Sequence, residues 1–389
     1  MKILITTSLY PPDIGGPSNY VPRIAKAFVT RGHEIGVVAP QDRGIECPIS
    51  NPSYRLIRFS RSHYLRYVNY VIEFWRAFWR IFSEASHYDL IYINGLDIPA
   101  TLASWSRRKR TVVKIVGDGA WELAFTRGWT KYNLETFQKN RKLSFLKGFF
   151  RIPSKFSRAV IVPSQYLSTI VKSWGVSPER IHVVYNTFNS KQANSDNLTV
   201  GIPFRHENRL HLVSIGRLVP HKRIDSIIKV ITDLPEVDLV VIGSGPQEGE
   251  LRKLTQDLGM EKRTYFTGQL PHEQILWILS EYAQTLILNS IYEGLPHVIL
   301  EAASCGVPVI ASAAGGTPEL LKILQNGLLI QPDSSEELFS ALQKFVDQPE
   351  LRKQFHDNAL KKIDRFSEEV MIQATEKVLL EAINAYPDG

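Results

Sequence analysis

Two glutamates, Glu293 and Glu301, enclose the stretch Gly294-Leu295-Pro296-His297-Val298-Ile299-Leu300. A carboxylate offers several acceptor sites to the hydroxyls of a sugar or ribose. The apolar run 285–288 before Glu293 reads as a strand. Pro296 or His297 reads as the start of a helix, because the missing proline N–H costs nothing in a first turn. Glu293 is then expected in a loop at a strand's carboxyl end, where outward-pointing amides and the helix dipole favour an anion. Glu301 falls about one and a half turns along that helix.

Four further loops have the same position after an apolar run. Gly216-Arg217-Leu218-Val219-Pro220-His221-Lys222 follows 210–215, and two cations at a sheet edge suit a diphosphate leaving group. Gly315-Gly316-Thr317-Pro318-Glu319 follows 308–311 and offers either amides for a phosphate or an ordinary helix cap. Gly15-Gly16 follows the first strand and permits close approach of backbone to an anion. Asp118, in Val116-Gly117-Asp118-Gly119 after 111–116, suits either proton transfer or a turn hydrogen bond. A Gly243-Ser244-Gly245 turn resembles the dinucleotide fingerprint but has one residue too many before Gly249. The chain contains no Asp-x-Asp, and its histidines lack metal-ligand spacing. No metal is therefore expected, and Arg217 with Lys222 would neutralise the diphosphate.

These loops need sheets to hold them. Short apolar runs at 2–7, 35–39, 89–93, 111–116 and 159–162 alternate with helical stretches, beginning with Val21, Ile24, Ala25, Phe28 and Val29 on one face and a stop at Gly32. The pattern restarts at 210–215, 239–242, 265–267, 285–288 and 308–311. The reading is α/β, two tandem Rossmann-like doubly wound domains facing across a cleft. Their expected extents are 1–190 and 207–365, with a polar linker at 191–206. A terminal helix at 366–389 would follow, with Phe366, Val370, Ala374, Val378 and Leu379 at helical spacing.

Charge separates the same halves. Residues 1–200 carry 28 Lys+Arg against 13 Asp+Glu, and residues 201–389 carry 18 against 26. A basic half suits nucleic acid, an anionic membrane surface or an anionic substrate, yet no nucleic-acid-binding module is present, which disfavours that partner. Residues 139–158 hold seven Lys/Arg and no acid, interleaved with Phe145, Leu146, Phe149, Phe150, Ile152 and Phe156. Residues 64–82 add Tyr64, Tyr67, Tyr70, Phe74, Trp75, Phe78, Trp79 and Phe82 with Arg66, Arg76 and Arg80. Such faces suit an anionic membrane surface. Two distant cysteines, Cys47 and Cys305, no long apolar segment and no signal-like start give a cytoplasmic expectation, with a peripheral position on the inner face of the plasma membrane.

Taken together, the Glu–seven residues–Glu stretch, Gly-Arg…Lys, Gly-x-Gly-Pro and Gly-Gly-x-Pro-Glu resemble, in order and spacing, the retaining glycosyltransferases of family 4, which have the glycosyltransferase-B fold. The resemblance implies a hexose-type sugar moved from a UDP- or GDP-sugar to an acceptor, a lipid-linked one or a growing polysaccharide, without a cofactor. It implies that Arg217 and Lys222 grip the diphosphate, and that Glu293 contacts the donor sugar. Gly294, Leu295, Pro296, His297 and Val298 would hold sugar and phosphate by their backbone, Glu301 the ribose, and Leu270 the base. Gly15, Gly16 and Gly243 complete the donor set, Asp118 joins Glu293, Arg217 and Lys222 as a catalytic candidate, and the last helix returns to the first domain. One departure is Gly117, where many members have histidine. A nucleotide-sugar epimerase of the same fold is the alternative, and the imperfect glycine fingerprint disfavours a dehydrogenase.

Overall fold

The computed structural model describes the chain except residues 14, 43, 45–48, 50, 63–65, 189–200, 203–205, 207 and 385–389. Cys47, Tyr64 and most of the expected linker lie outside the described residues. The chain forms two compact units, Met1–Val184 with Glu369–Gly389, and Tyr185–Glu368.

Unit 1 is built on seven parallel strands in the order β3-β2-β1-β4-β5-β6-β7. These are β1 Lys2–Thr7, β2 Glu34–Gln41, β3 Arg55–Ser60, β4 Leu90–Asn94, β5 Arg110–Lys114, β6 Ala159–Val162 and β7 Ile181–Val183. Ile3, Ile5, Val37, Tyr92, Val112 and Ile161 line one face. Helix α1 (Gly16–Thr30) closes on it with Val21, Ile24, Ala25 and Phe28, the apolar positions that the sequence spaces three and four apart. It stops at Gly32, whose φ of +83° is the left-handed conformation glycine tolerates. Helix α2 (Arg66–Ala85) packs on α3 (Asp97–Ser106), which in turn meets α6 (Ser144–Phe156). Between them in sequence come α4 (Gly119–Thr126) and α5 (Leu134–Lys139), followed after β6 by α7 (Gln165–Ser173).

Unit 2 has six parallel strands in the order β10-β9-β8-β11-β12-β13: β8 Leu210–Ile215, β9 Val237–Ile242, β10 Thr264–Gly268, β11 Thr285–Leu288, β12 Val309–Ser312 and β13 Gly327–Ile330. Its helices are α8 (Ile224–Val230), α9 (Glu248–Asp257), α10 (His272–Glu281), α11 (His297–Ser304), α12 (Thr317–Leu324), α13 (Ser335–Asp347) and α14 (Pro349–Lys362).

The terminal helix, α15, runs Glu368–Asn384 and belongs to unit 1. Met371, Ile372, Val378, Leu379 and Ala382 enter the core that α1 covers. Arg31 donates to Glu376 at 2.7 Å and His33 pairs with the same carboxylate at 2.5 Å. Phe366, expected on this helix, instead ends a 3-10 turn and is buried in a core of unit 2. The helical periodicity therefore starts two residues later than the spacing suggests.

Candidate functional site

In an open parallel sheet, ligands bind beyond the strand carboxyl ends where the strand order reverses. In unit 2 that point lies between β8 and β11, because the chain builds outward from β8 through β9 and β10, then returns to build from β11 through β12 and β13. The loops after β8 and β11 meet there. Lys222 Nζ, in the 3-10 turn Pro220–Lys222, forms an ion pair with Glu293 Oε1. The two side chains are only 17% and 13% exposed, so each charge depends on the other or on a ligand that replaces it. The Ile291 amide donates to the His221 carbonyl at 2.9 Å and ties the same two loops together. The His221 imidazole is held below its ordinary pKa, first by burial and then by Lys222 beside it. Arg217 is exposed on the same loop and free of any ion pair among the described residues.

Close backbone packing fixes these loops, and glycine makes it possible. A Cβ at Gly315 would lie 1.6 Å from the Glu293 carbonyl oxygen, which also accepts the Gly316 amide at 3.0 Å. A Cβ at Gly243 would lie 1.9 Å from the Gly216 carbonyl oxygen. Leu218 N donates to Ser244 O and Gln247 N to Leu218 O, at 3.0 and 3.1 Å. The loops after β9, β8, β11 and β12 thus form one row in the order of the strands. Gly243, Gly315 and Gly316 have a packing reason that the sequence alone does not reveal.

Helix α11 starts at His297 with Pro296 as its cap. Leu295 and Pro296 are buried, Gly294 and Val298 half-buried, and His297 exposed. Glu301 lies on the helix and pairs with His272 Nε2 at 3.0 Å. His272 opens α10, two residues after the half-buried Leu270. Glu293, Lys222 and Glu301 are therefore each held by a partner at the carboxyl edge of one sheet. His272 was not visible as a site residue, because a lone histidine three residues before an apolar helix face carries no signal. On α12, Glu319 accepts the Tyr185 hydroxyl at 2.6 Å. Burial, then the hydrogen bond to Glu319, pushes the Tyr185 pKa well up.

The unit 1 candidates are of two kinds. Gly15 and Gly16 stand at the start of α1, in a loop that Asp13 and Arg61 hold closed. Arg61 Nη1 and Nη2 donate to the two Asp13 oxygens at 2.8 and 2.6 Å, and Ser18 donates to the Asp13 carbonyl at 2.5 Å. The Arg61 guanidinium holds the Asp13 carboxyl below the usual carboxylate range. This clamp spans 48 residues and has no local sequence signature. Asp118 is buried and caps α4: Oδ1 accepts the Trp121 amide at 2.8 Å, and Oδ2 accepts Gln138 Nε2 at 2.7 Å. Both Asp118 oxygens thus already serve as acceptors, one of them in a helix cap.

Comparison with known proteins fits this arrangement. The family description "Glycosyl transferases group 1" matches residues 202–362, and "Glycosyltransferase Family 4" matches residues 14–192. The class is thus sugar-transferring enzymes with two Rossmann-like domains. The chain belongs to the group 1 glycosyltransferases of the family 4 type. It is 25% identical over 381 residues to an uncharacterized glycosyltransferase of Methanocaldococcus jannaschii, covering 92% of this chain and 93% of that one. It is 26% identical over 376 residues to the GDP-mannose-dependent alpha-(1-6)-phosphatidylinositol monomannoside mannosyltransferase of Mycobacterium tuberculosis, covering 89% of each. Among solved structures, sucrose-phosphate synthase from Thermosynechococcus elongatus superposes with a TM-score of 0.79 at 20% identity, over 99% of this chain and 100% of that one. HepE from Anabaena in complex with UDP superposes with a TM-score of 0.71 at 21% identity, over 98% and 100%.

Proposed function

We propose that the enzyme moves a hexose-type sugar from a UDP- or GDP-sugar, with retention and without a metal, to an acceptor at an anionic membrane surface. The carrying observation is the Lys222–Glu293 pair at the switch point of unit 2. Two cations, Arg217 and Lys222, stand where a diphosphate would leave, and Glu293 and the α11 amides stand where its sugar would sit. When the donor enters, Lys222 turns from the carboxylate to the diphosphate. Glu293 and Glu301 then take up sugar and ribose hydroxyls. The acceptor oxygen bonds to the anomeric carbon on the face the diphosphate leaves, the bond from that carbon to the phosphate oxygen breaks, and the acceptor proton passes to that oxygen. The base is uracil or guanine. The HepE complex contains UDP, and the mycobacterial relative is described as GDP-mannose-dependent.

The membrane part of the reading rests on the outer surface of α2, α3 and α6. Trp79 is 59% exposed, Trp105 72% and Phe145 89%, with Tyr70, Trp75 and Phe156 also exposed. Trp105 on α3 fills the gap between the two segments singled out by sequence. Arg107 lies over the Phe82 ring at 3.8 Å, and Arg80, Arg108 and Arg141 are exposed close in sequence to Trp79, Trp105 and Phe145. Large apolar side chains ringed by cations fit a layer of acyl chains below anionic headgroups. No helix of the described residues is long and apolar enough to cross a membrane.

Thermal unfolding with UDP, GDP, ADP or dTDP, in chelator, tests the donor. A nucleotide at a hundred times its Kd stabilises by about 2.7 kcal/mol. One base should do so, and Arg217→Ala should abolish the shift. No shift with any nucleotide, or one that requires a divalent ion, counts against the reading. Equal sedimentation with neutral and anionic liposomes counts against the membrane surface.

A further inference from the structure

Unit 1 has its own switch point, between β1 and β4, and buried donors stand unused beside it. Asn94 and Lys114 end β4 and β5, one step beyond the paired Ile93 and Val113. Side chains alternate along a strand, so both follow Tyr92 and Val112 onto the face that α1 covers. Each residue is 7% exposed. Among the described residues Asn94 Nδ2 has no hydrogen-bond partner. Lys114 has no ion pair or hydrogen bond among the described residues. Its Nζ lies 3.5 Å from the centre of the Tyr20 ring, and the Tyr20 hydroxyl shares a 2.8 Å hydrogen bond with that of Tyr92. Tyr20 lies on the second turn of α1. That helix starts with no side-chain cap, and open space lies in front of Gly16.

Both groups are costly as they stand. A buried amide donor without a partner is destabilising, and burial alone lowers the Lys114 amine to about 7. The Tyr20 ring offsets part of that cost by attracting the cation. A neutral hydroxyl would satisfy Asn94 and leave the amine uncompensated, and a cation would be repelled. A group with acceptor oxygens and negative charge satisfies both.

We propose that Lys114 and Asn94 form a subsite for an anionic group, a phosphate or carboxylate, carried by the acceptor. Assignment of that group to the acceptor rests on the proposed function, whereas the anion site rests on unit 1 alone. The donor's own diphosphate is the other source of the same chemistry.

The test is calorimetric titration of the full chain with octyl phosphate, octyl glucoside, UDP and GDP. Lys114→Met removes the charge at similar length, Asn94→Ala removes the amide, and Lys114→Arg is the conservative control. The expected result is an octyl phosphate Kd at least tenfold weaker in Lys114→Met and several-fold weaker in Asn94→Ala. Lys114→Arg should recover part of the loss, with octyl glucoside and nucleotide affinities unchanged. No binding of octyl phosphate to the wild type, or the same Kd in Lys114→Met, overturns the proposal. A loss confined to nucleotide also overturns it, by giving Lys114 to the donor. If no nucleotide binds but octyl phosphate still depends on Lys114, the transferase reading fails and the anion subsite stands.

Discussion

Gly315→Ala should damage the site through the backbone, without removing any group expected to touch substrate. Gly315 has φ +58°, where an L-residue costs about 1–2 kcal/mol. Its new methyl would sit 1.6 Å from the Glu293 carbonyl oxygen, whereas real Cβ contacts essentially never fall below 3.0 Å. The carbonyl must therefore retreat by about 1.4 Å, the shortfall between those distances. That retreat breaks the 3.0 Å hydrogen bond from the Gly316 amide, worth about 1 kcal/mol. The combined cost is about 2–3 kcal/mol. For a unit the size of Tyr185–Glu368, that lowers Tm by about 4–12 °C. A displacement of about 1 Å in a positioning group costs about a hundredfold in rate. The assay is sugar release from the donor identified by thermal shift, with circular dichroism to confirm the fold. Gly249→Ala is the control, because a Cβ there meets nothing within 4 Å and should be neutral or stabilising by up to about 1 kcal/mol. Wild-type turnover and donor affinity in Gly315→Ala would refute the idea that this packing positions Glu293.

Glu293→Ala and Lys222→Ala should each lower turnover by about a hundredfold or more. The double variant should lose little beyond the worse single one, and additive losses in the kinetic cycle would show that the pair does not act as a unit. Arg61→Ala should destabilise the loop before α1 by about 1 kcal/mol at neutral pH. Because the folded Asp13 pKa lies below its ordinary 3.8, this contribution is present above that value and lost as pH falls through the folded value. Urea titrations of the two proteins should therefore converge in acid, and a constant difference would contradict the ion pair. Lys114 acts in a higher window with the same sign of slope. Between about 7, its folded pKa, and 10.5, the unfolded chain binds more protons, so stability rises with pH. Tyr20 and Tyr92, which face it, have pKa values raised by burial and stay neutral there. Lys114→Met should flatten this rise and stabilise the protein by about 2–4 kcal/mol at pH 7 and below, and an unchanged denaturation midpoint would show that the amine is not buried as a charge.

What the sequence makes legible, and what it hides, follows from where apolar residues are needed. Central strands such as β1, β4, β9 and β11 are buried on both faces and read as short apolar runs, the one in β9 following the buried Asp238. The strands that escape notice are β3, β7 and β13, and all three are sheet edges. Arg55 and Arg58 interrupt β3, β7 has only three half-buried residues, and Leu329 is exposed on β13. An edge solvates part of its surface, so its pattern is short and mixed.

The same distinction governs the site. Glu293, Lys222 and Glu301 lie in local motifs after central strands, and fall at one sheet edge because every such loop must. Their partners come from elsewhere in the chain. Lys222 meets Glu293 across 71 positions and Glu301 meets His272 across 29. Arg61 reaches Asp13 across 48. A motif tells which side chain a loop presents. Only the strand order tells what that side chain faces, and in unit 1 it brings Asn94 and Lys114 side by side from two unremarked strand ends. Lys114 closes an apolar run, where a cation is easily taken for the strand's solvated end. Burial on the α1 face makes it a charge that needs an anion.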